Sequence, residues 1–340
     1  MITGQLDGLN SDQIDKAFSN LIANPVEMTI WMVITTVVCF GICSLGLQDG
    51  VEKVTKIMMV LLLGIILLLA AKSLSLPNAS KGLEFYLKPD INSMKENGVW
   101  ETIFAAMSQA FFTLSIGIGS LAIFGSYIGK ERALLSESIN ITVLDTVISI
   151  LAGLIIFPAC FAFNLNPGQG PGLIFVTLPN VFNAMSGGRV WGSLFFILMT
   201  FAAFSTVIAV FENIISFGMD LWGWSRKKAS IINTFALILL SMPCILGFNV
   251  LSGIQPLGQG TNILDLEDFI ISYNLLPIGS LIYLLFCVSR YGWGFDNYMK
   301  EVNTGKGLKV PRFLRGYLTW VLPAIVIFII IQGYINFFIK

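Results

Sequence analysis

The chain has 340 residues, 55% of them apolar and only 12% charged, and its 20 Lys and Arg balance its 20 Asp and Glu. That composition is typical of an integral membrane protein, and the even charge gives no reason to expect nucleic acid or another polyanion as a partner. Histidine is absent, which removes the commonest general base, proton relay and metal ligand and argues against an enzyme.

Residues 1–25 are polar, carry Gly and Asn, and end at Pro25. They read as a loop, with none of the basic and apolar regions of a signal peptide. Eight apolar spans follow at 28–47, 51–72, 102–128, 139–163, 190–215, 229–250, 268–289 and 316–339, so 26–339 reads as one all-α transmembrane domain. An even number of spans puts both ends on one side. With the termini outside, the cytoplasmic loops collect most of the Lys and Arg, among them Lys53, Lys130, Arg132, Arg226, Lys227 and Lys228, as the positive-inside rule favours. This makes 1–25 an extracellular loop in a multi-pass protein of the cytoplasmic (plasma) membrane. A translocated polar tail without a signal is unusual, which suggests that helices are missing upstream. Cys39, Cys43, Cys160, Cys244 and Cys287 all sit inside apolar runs and read as small apolar filler, with no metal site or disulfide framework.

The third span is the unusual one. Its centre, QAFFTLSIGIG at 109–119, carries Thr113, Ser115, Gly117 and Gly119 where a lipid-facing helix would carry Leu and Val. Two readings fit the stretch. Small residues let neighbouring helices pack closely. Alternatively, the helix is interrupted, and the freed backbone groups, each costing several kcal/mol when unsatisfied in a dry environment, mark a binding site. The fourth span carries Asp145, and a carboxylate at a helix centre costs about 2.5–3.5 kcal/mol on insertion scales, less near an end. Ser205 and Thr206 lie in a polar-small cluster of the fifth span. With Thr113 and Asp145 they are hard oxygen donors of the kind an alkali cation prefers; intramembrane hydroxyls also commonly bond the preceding turn of their own helix or a neighbouring one.

QAFFTLSIGIG resembles the sixth membrane helix of the sodium-coupled neurotransmitter and amino-acid symporter family. The resemblance extends in order through SYI at Ser126, LDTVISILAGLIIFPA from Leu144, FAAFSTVIAVFENI from Phe201, LDLEDF from Leu264 and RGYLTWVLP in the last span. It implies helices four to eleven of the LeuT-type inverted-repeat fold, hence a chain lacking the first three helices. The implied activity is sodium-coupled symport of an amino acid or related small amine, with sodium as the coupling ion, no other cofactor and no activity by this chain alone. The alternative is a non-transporting fragment that associates with or regulates a full-length relative or a separate N-terminal half-protein.

The resemblance also assigns residues. Phe112, Thr113, Ser115, Ile116 and Ile118, with Thr206 and Val210, would meet the substrate. Thr113 and Asp145 would serve a first sodium, and Ala202 (by its carbonyl), Ser205 and Thr206 a second. Ser149 falls where chloride-dependent members place a chloride-binding serine. Asp268 matches the acidic half of an extracellular gate, and Tyr127 and Asp220 match a cytoplasmic gate.

Overall fold

The computed structural model describes residues 1, 3–96, 98–168 and 170–338, so residue 339, the expected end of the last span, lies outside the described residues. Among the described residues, fifteen α-helices of six or more residues organise the chain. They are α1 (Ser11–Ala23), α2 (Pro25–Ser44), α3 (Lys53–Leu74), α4 (Ala79–Leu87), α5 (Ile91–Glu96), α6 (Val99–Thr113), α7 (Ser120–Tyr127) and α8 (Leu134–Ala162). Then follow α9 (Leu178–Ala184), α10 (Gly188–Trp222), α11 (Arg226–Gly247), α12 (Ile263–Asp268), α13 (Leu276–Val288), α14 (Phe295–Val302) and α15 (Leu322–Phe338). Among the described residues the one extended pairing is an isolated bridge, Arg132 to Lys306.

Among the described residues, seven helical stretches are long and apolar enough to cross a membrane: Pro25–Ser44, Leu47–Leu74, Leu134–Ala162, Gly188–Trp222, Arg226–Gly247, Ile263–Val288 and Arg312–Ile335. The expected third span, 102–128, is not a continuous helix; it is split into α6 and α7. Residues 1–25 are not a loop throughout. Asn10 and Gln13 cap α1 reciprocally, each side chain bonding the other's backbone N–H at 2.9–3.0 Å, and Ile14, Phe18 and Leu21 form an apolar stripe on it with Ile14 buried. Asn24 then caps α2, accepting from the N–H groups of Val26 and Glu27, with Pro25 in the first helical position.

Besides Leu47–Glu52, which no proline closely follows, the described residues hold three π-helical stretches, Leu173–Thr177, Phe269–Leu275 and Tyr317–Val321, that each end two residues before a proline: Pro179, Pro277 and Pro323. The cause is the proline itself. It offers no N–H to the carbonyl four residues back, and its ring crowds that carbonyl, so the preceding turn opens to an i+5 pattern. The amides of Leu178, Leu276 and Leu322 accordingly donate five residues back, to Leu173, Ile271 and Tyr317.

The chain forms two compact units. One comprises Met1–Pro89 and Val147–Ile254, the other Asp90–Thr146 and Gln255–Lys340. In the first, Leu62, Ile66 and Leu69 of α3 pack with Ile155, Ala159 and Cys160 of α8, Leu178 and Phe182 of α9, and Phe195 and Leu198 of α10. The 173–189 stretch, expected outside the spans, therefore contributes α9 to this core. Cys39, Cys43 and Cys160 are fully buried and Phe40 stacks on Phe211 with centroids 4.0 Å apart, so these cysteines fill apolar space as expected. In the second unit, Phe104, Phe269, Tyr273, Tyr334 and Phe337 form an aromatic cluster.

Candidate functional site

The interruption begins where α6 ends. The amide of Ile116 donates to the carbonyl of Phe111 at 3.1 Å and that of Ser115 to Phe112 at 3.0 Å, the paired 6→1 and 5→2 bonds of a Schellman stop. Glycine usually holds the left-handed position of this motif; here Ser115 does, at φ 50. Gly117 and Gly119 continue the break at φ 95 and 98, and Gly119 leads into α7.

The break is seated against α13. A Cβ on Gly117 would lie 2.2 Å from the carbonyl oxygen of Leu276, and one on Gly279 would lie 2.4 Å from the carbonyl oxygen of Gly117. Both are backbone contacts that no side-chain rotation relieves. Gly117 is thus required by approach as well as by φ, and Gly279 by approach; the helix is interrupted here and is also closely packed.

Thr113, the last residue of α6, donates its hydroxyl to both carboxylate oxygens of Asp145 on α8, each at 3.2 Å. The two residues stand 32 positions apart in the chain, and the fold brings them together at the mouth of the break. Phe112, beside Thr113, is 54% exposed, whereas Ser115, Ile116 and Ile118 are half-buried. Ser149 lies one turn beyond Asp145 on α8, and its carbonyl accepts from the Tyr86 hydroxyl at 3.4 Å. Tyr86 rests where a Cβ on Gly153 would be.

In the other unit, α10 gathers a second set of oxygens. The carbonyl of Ala202 accepts from Ser205 at 2.8 Å and from Thr206 at 3.2 Å. This is the ordinary bonding of a hydroxyl to its own preceding turn, and it also collects three oxygens within one turn of helix. Val210 follows Thr206 one turn on. Asp220 is exposed near the C-terminus of α10 and Tyr127 ends α7 with its ring edge-on to Phe124. Asp268 ends α12, and its carboxylate accepts from the Ser272 hydroxyl at 2.8 Å.

An ion pair in the first unit was not anticipated. Glu212 of α10 is completely buried and takes two hydrogen bonds from the Arg226 guanidinium, at 2.7 and 2.9 Å. Arg226 also donates to the carbonyl of Cys43 on α2 at 3.2 Å. The available signal was an acid just past the uncharged 190–211 run, since a carboxylate at that depth requires a partner. Among the described residues no three His, Cys, Asp or Glu cluster as a metal site; the hydroxyl and carbonyl sets above are a different donor chemistry.

Long apolar helices, together with a helical segment broken at hydroxyl-bearing, glycine-seated residues, define a multi-pass helical membrane protein. The chain belongs to the sodium:neurotransmitter symporter family, which it matches over residues 13–339. It is 32% identical over 284 residues to the uncharacterized sodium-dependent transporter YhdH of Bacillus subtilis, an overlap of 84% of this chain and 62% of that protein. An uncharacterized sodium-dependent transporter of Haemophilus influenzae is 30% identical over 341 residues, 98% of this chain and 72% of its own length. The crystal structure of MhsT in complex with L-phenylalanine superposes with a TM-score of 0.84 at 36% identity, covering 98% of this chain and 74% of that one. The all-helical LeuT-type architecture expected from the motifs is therefore present, in a family of transporters rather than enzymes. The chain spans less than two thirds of the Bacillus protein's length. The family match runs over nearly the whole of this chain and gives no support to the expected truncation, to a half-protein partner or to a non-transporting fragment.

Proposed function

We propose that this chain mediates sodium-coupled symport of an amino acid or related small amine across the plasma membrane, with 1–25 on the outer face and the helices read as the fourth to eleventh of the family order. The observation that carries the proposal is the Thr113–Asp145 pair at the break of a membrane helix. A carboxylate and a hydroxyl at such a point supply hard oxygens and one negative charge, the chemistry that sodium requires. The Thr113 hydroxyl turns its proton away from Asp145 and its lone pair toward the ion, while both Asp145 oxygens become free to ligate. The second sodium is assigned to Ala202, Ser205 and Thr206, where the two hydroxyls release the Ala202 carbonyl. Each sodium entering down 100 mV contributes about 2.3 kcal/mol to substrate accumulation.

The substrate is assigned to Phe112, Thr113, Ser115, Ile116 and Ile118, which stand at or within the interruption between α6 and α7. Thr206 and Val210 are assigned to it on the family resemblance alone. The apolar character of Ile116, Ile118 and Val210 favours an apolar or aromatic amino acid, and MhsT is seen with L-phenylalanine. Asp268 is read as the acid of an extracellular gate, and Tyr127 and Asp220 as parts of a cytoplasmic gate. The Asp145 side chain, one turn from Ser149 on α8, is read as standing in for the chloride that other family members place at this serine, which makes uptake chloride-independent. The test is equilibrium binding of labelled apolar, aromatic and polar L-amino acids to the purified full chain in sodium or in potassium. Binding of at least one in sodium alone supports the reading; the same binding in both salts contradicts it.

A further inference from the structure

We propose that Tyr334 of α15 and Asn274 are positioning residues that hold the π-helical turn below Asp268 in register and so aim the gate acid. The proposal rests on the reading of Asp268 as a gate residue. Nothing in the family match assigns a role to either Tyr334 or Asn274.

The stretch Phe269–Leu275 is π-helical, and it directly follows Asp268. Pro277 accounts for only part of it. The proline denies an α-type partner to the carbonyl of Tyr273, but the carbonyl of Phe269, at the other end, is free to choose between the amide four residues on and the one five residues on. The Asn274 side chain biases that choice: its Nδ2 donates to the Phe269 carbonyl at 3.2 Å, tying together two positions five apart. Tyr334 fixes Asn274 in turn, because its hydroxyl donates to the Asn274 Oδ1. The Tyr334 ring also meets the Phe269 ring edge-on with centroids 5.9 Å apart. One side chain of α15 thus grips both ends of the π turn.

The consequence for Asp268 is geometric. A π turn contains one residue more than an α turn, and one residue corresponds to about 100° of helix rotation. With α13 held in place by its backbone contact with Gly117, relaxation of the π turn to α would carry Asp268 round by that angle and put Phe269 where Asp268 now stands. An acid would be exchanged for an aromatic ring at the gate. The Ser272–Asp268 hydrogen bond lies within the same stretch and would be remade or lost with it.

The experiment reads that exchange directly. Asp268→Cys and Phe269→Cys are each made in the full chain, purified in detergent, where both faces are accessible, and treated with a water-soluble thiol reagent, with labelling rates read peptide by peptide by mass spectrometry. Tyr291→Cys, beyond α13 in an exposed loop, reports any general loosening. The expected result is that Tyr334→Phe, which removes one hydroxyl, lowers the ratio of the Asp268→Cys rate to the Phe269→Cys rate at least threefold and leaves Tyr291→Cys unchanged. Asn274→Leu must shift the ratio in the same direction. An unchanged ratio in both backgrounds, or equal changes at all three cysteines, overturns the proposal. The ratio measures geometry whether or not Asp268 gates anything. A shifted ratio with unaltered sodium-dependent substrate binding would therefore refute the gate reading and leave the positioning role standing.

Discussion

The buried Glu212–Arg226 pair allows a sharp energetic test. Glu212 has no exposed side-chain surface and Arg226 retains 21%, so the two truncations are not equivalent. Arg226→Leu takes the guanidinium away from a fully buried carboxylate and from the Cys43 carbonyl; breaking a buried pair in this way costs about 3–5 kcal/mol. Glu212→Gln keeps one acceptor for the guanidinium, which can move toward its exposed side, and costs about 1–3 kcal/mol. The double change to Leu and Met removes both charges together and recovers most of the loss, because a buried ion pair and an apolar pair of similar volume are often nearly equal in stability. Thermal unfolding midpoints in one detergent at one scan rate provide the assay, at roughly 2 °C per kcal/mol. Arg226→Leu should fall by roughly 6–10 °C, Glu212→Gln by less, and the double variant should return most of the way. The reasoning is refuted if Arg226→Leu melts no lower than Lys88→Ala, which opens the exposed Lys88–Glu84 pair.

Other expectations follow from the same geometry. Gly279→Ala puts a methyl group 2.4 Å from the Gly117 carbonyl without touching any assigned ion ligand; it should weaken sodium-dependent amino-acid binding at least tenfold in equilibrium titrations, and Gly117→Ala should abolish it. Thr113→Val, which deletes the hydroxyl bonded to Asp145, should raise the sodium concentration needed for half-maximal substrate binding severalfold while the saturated level is kept. Asn10→Ala removes the reciprocal cap of α1, a loss of about 1 kcal/mol that should appear as faster amide exchange over 11–23, leaving exchange in α13 unchanged.

The features most legible in the sequence were those in which residue type and backbone demand coincide. Gly117 and Gly119 announced a break because a lipid-facing helix has no use for them, and they adopt positive φ there. Asp145 stood out as a lone acid in an apolar run, and its partner Thr113 was recognisable as an oxygen donor, though only the fold could show that they meet. The helix α1 was missed because polar composition was weighted above the Asn10–Gln13 capping pair and the spacing of Ile14, Phe18 and Leu21. Glu212 escaped notice because Arg226, its partner 14 residues on, was counted as a loop charge for topology. The π turns were readable in principle from Pro179, Pro277 and Pro323, but the Tyr334–Asn274 contact joins residues 60 positions apart and has no local signature.

Sodium-gradient-driven uptake by the full chain in liposomes, wild type beside Asp145→Leu, tests the central claim most directly. The wild-type chain should accumulate a labelled apolar amino acid above its external concentration when sodium is high outside, and lose that accumulation when the gradient is collapsed or Asp145 is replaced. Accumulation that persists without a sodium gradient, or that Asp145→Leu leaves intact, would contradict the assignment of Thr113 and Asp145 to the coupling ion.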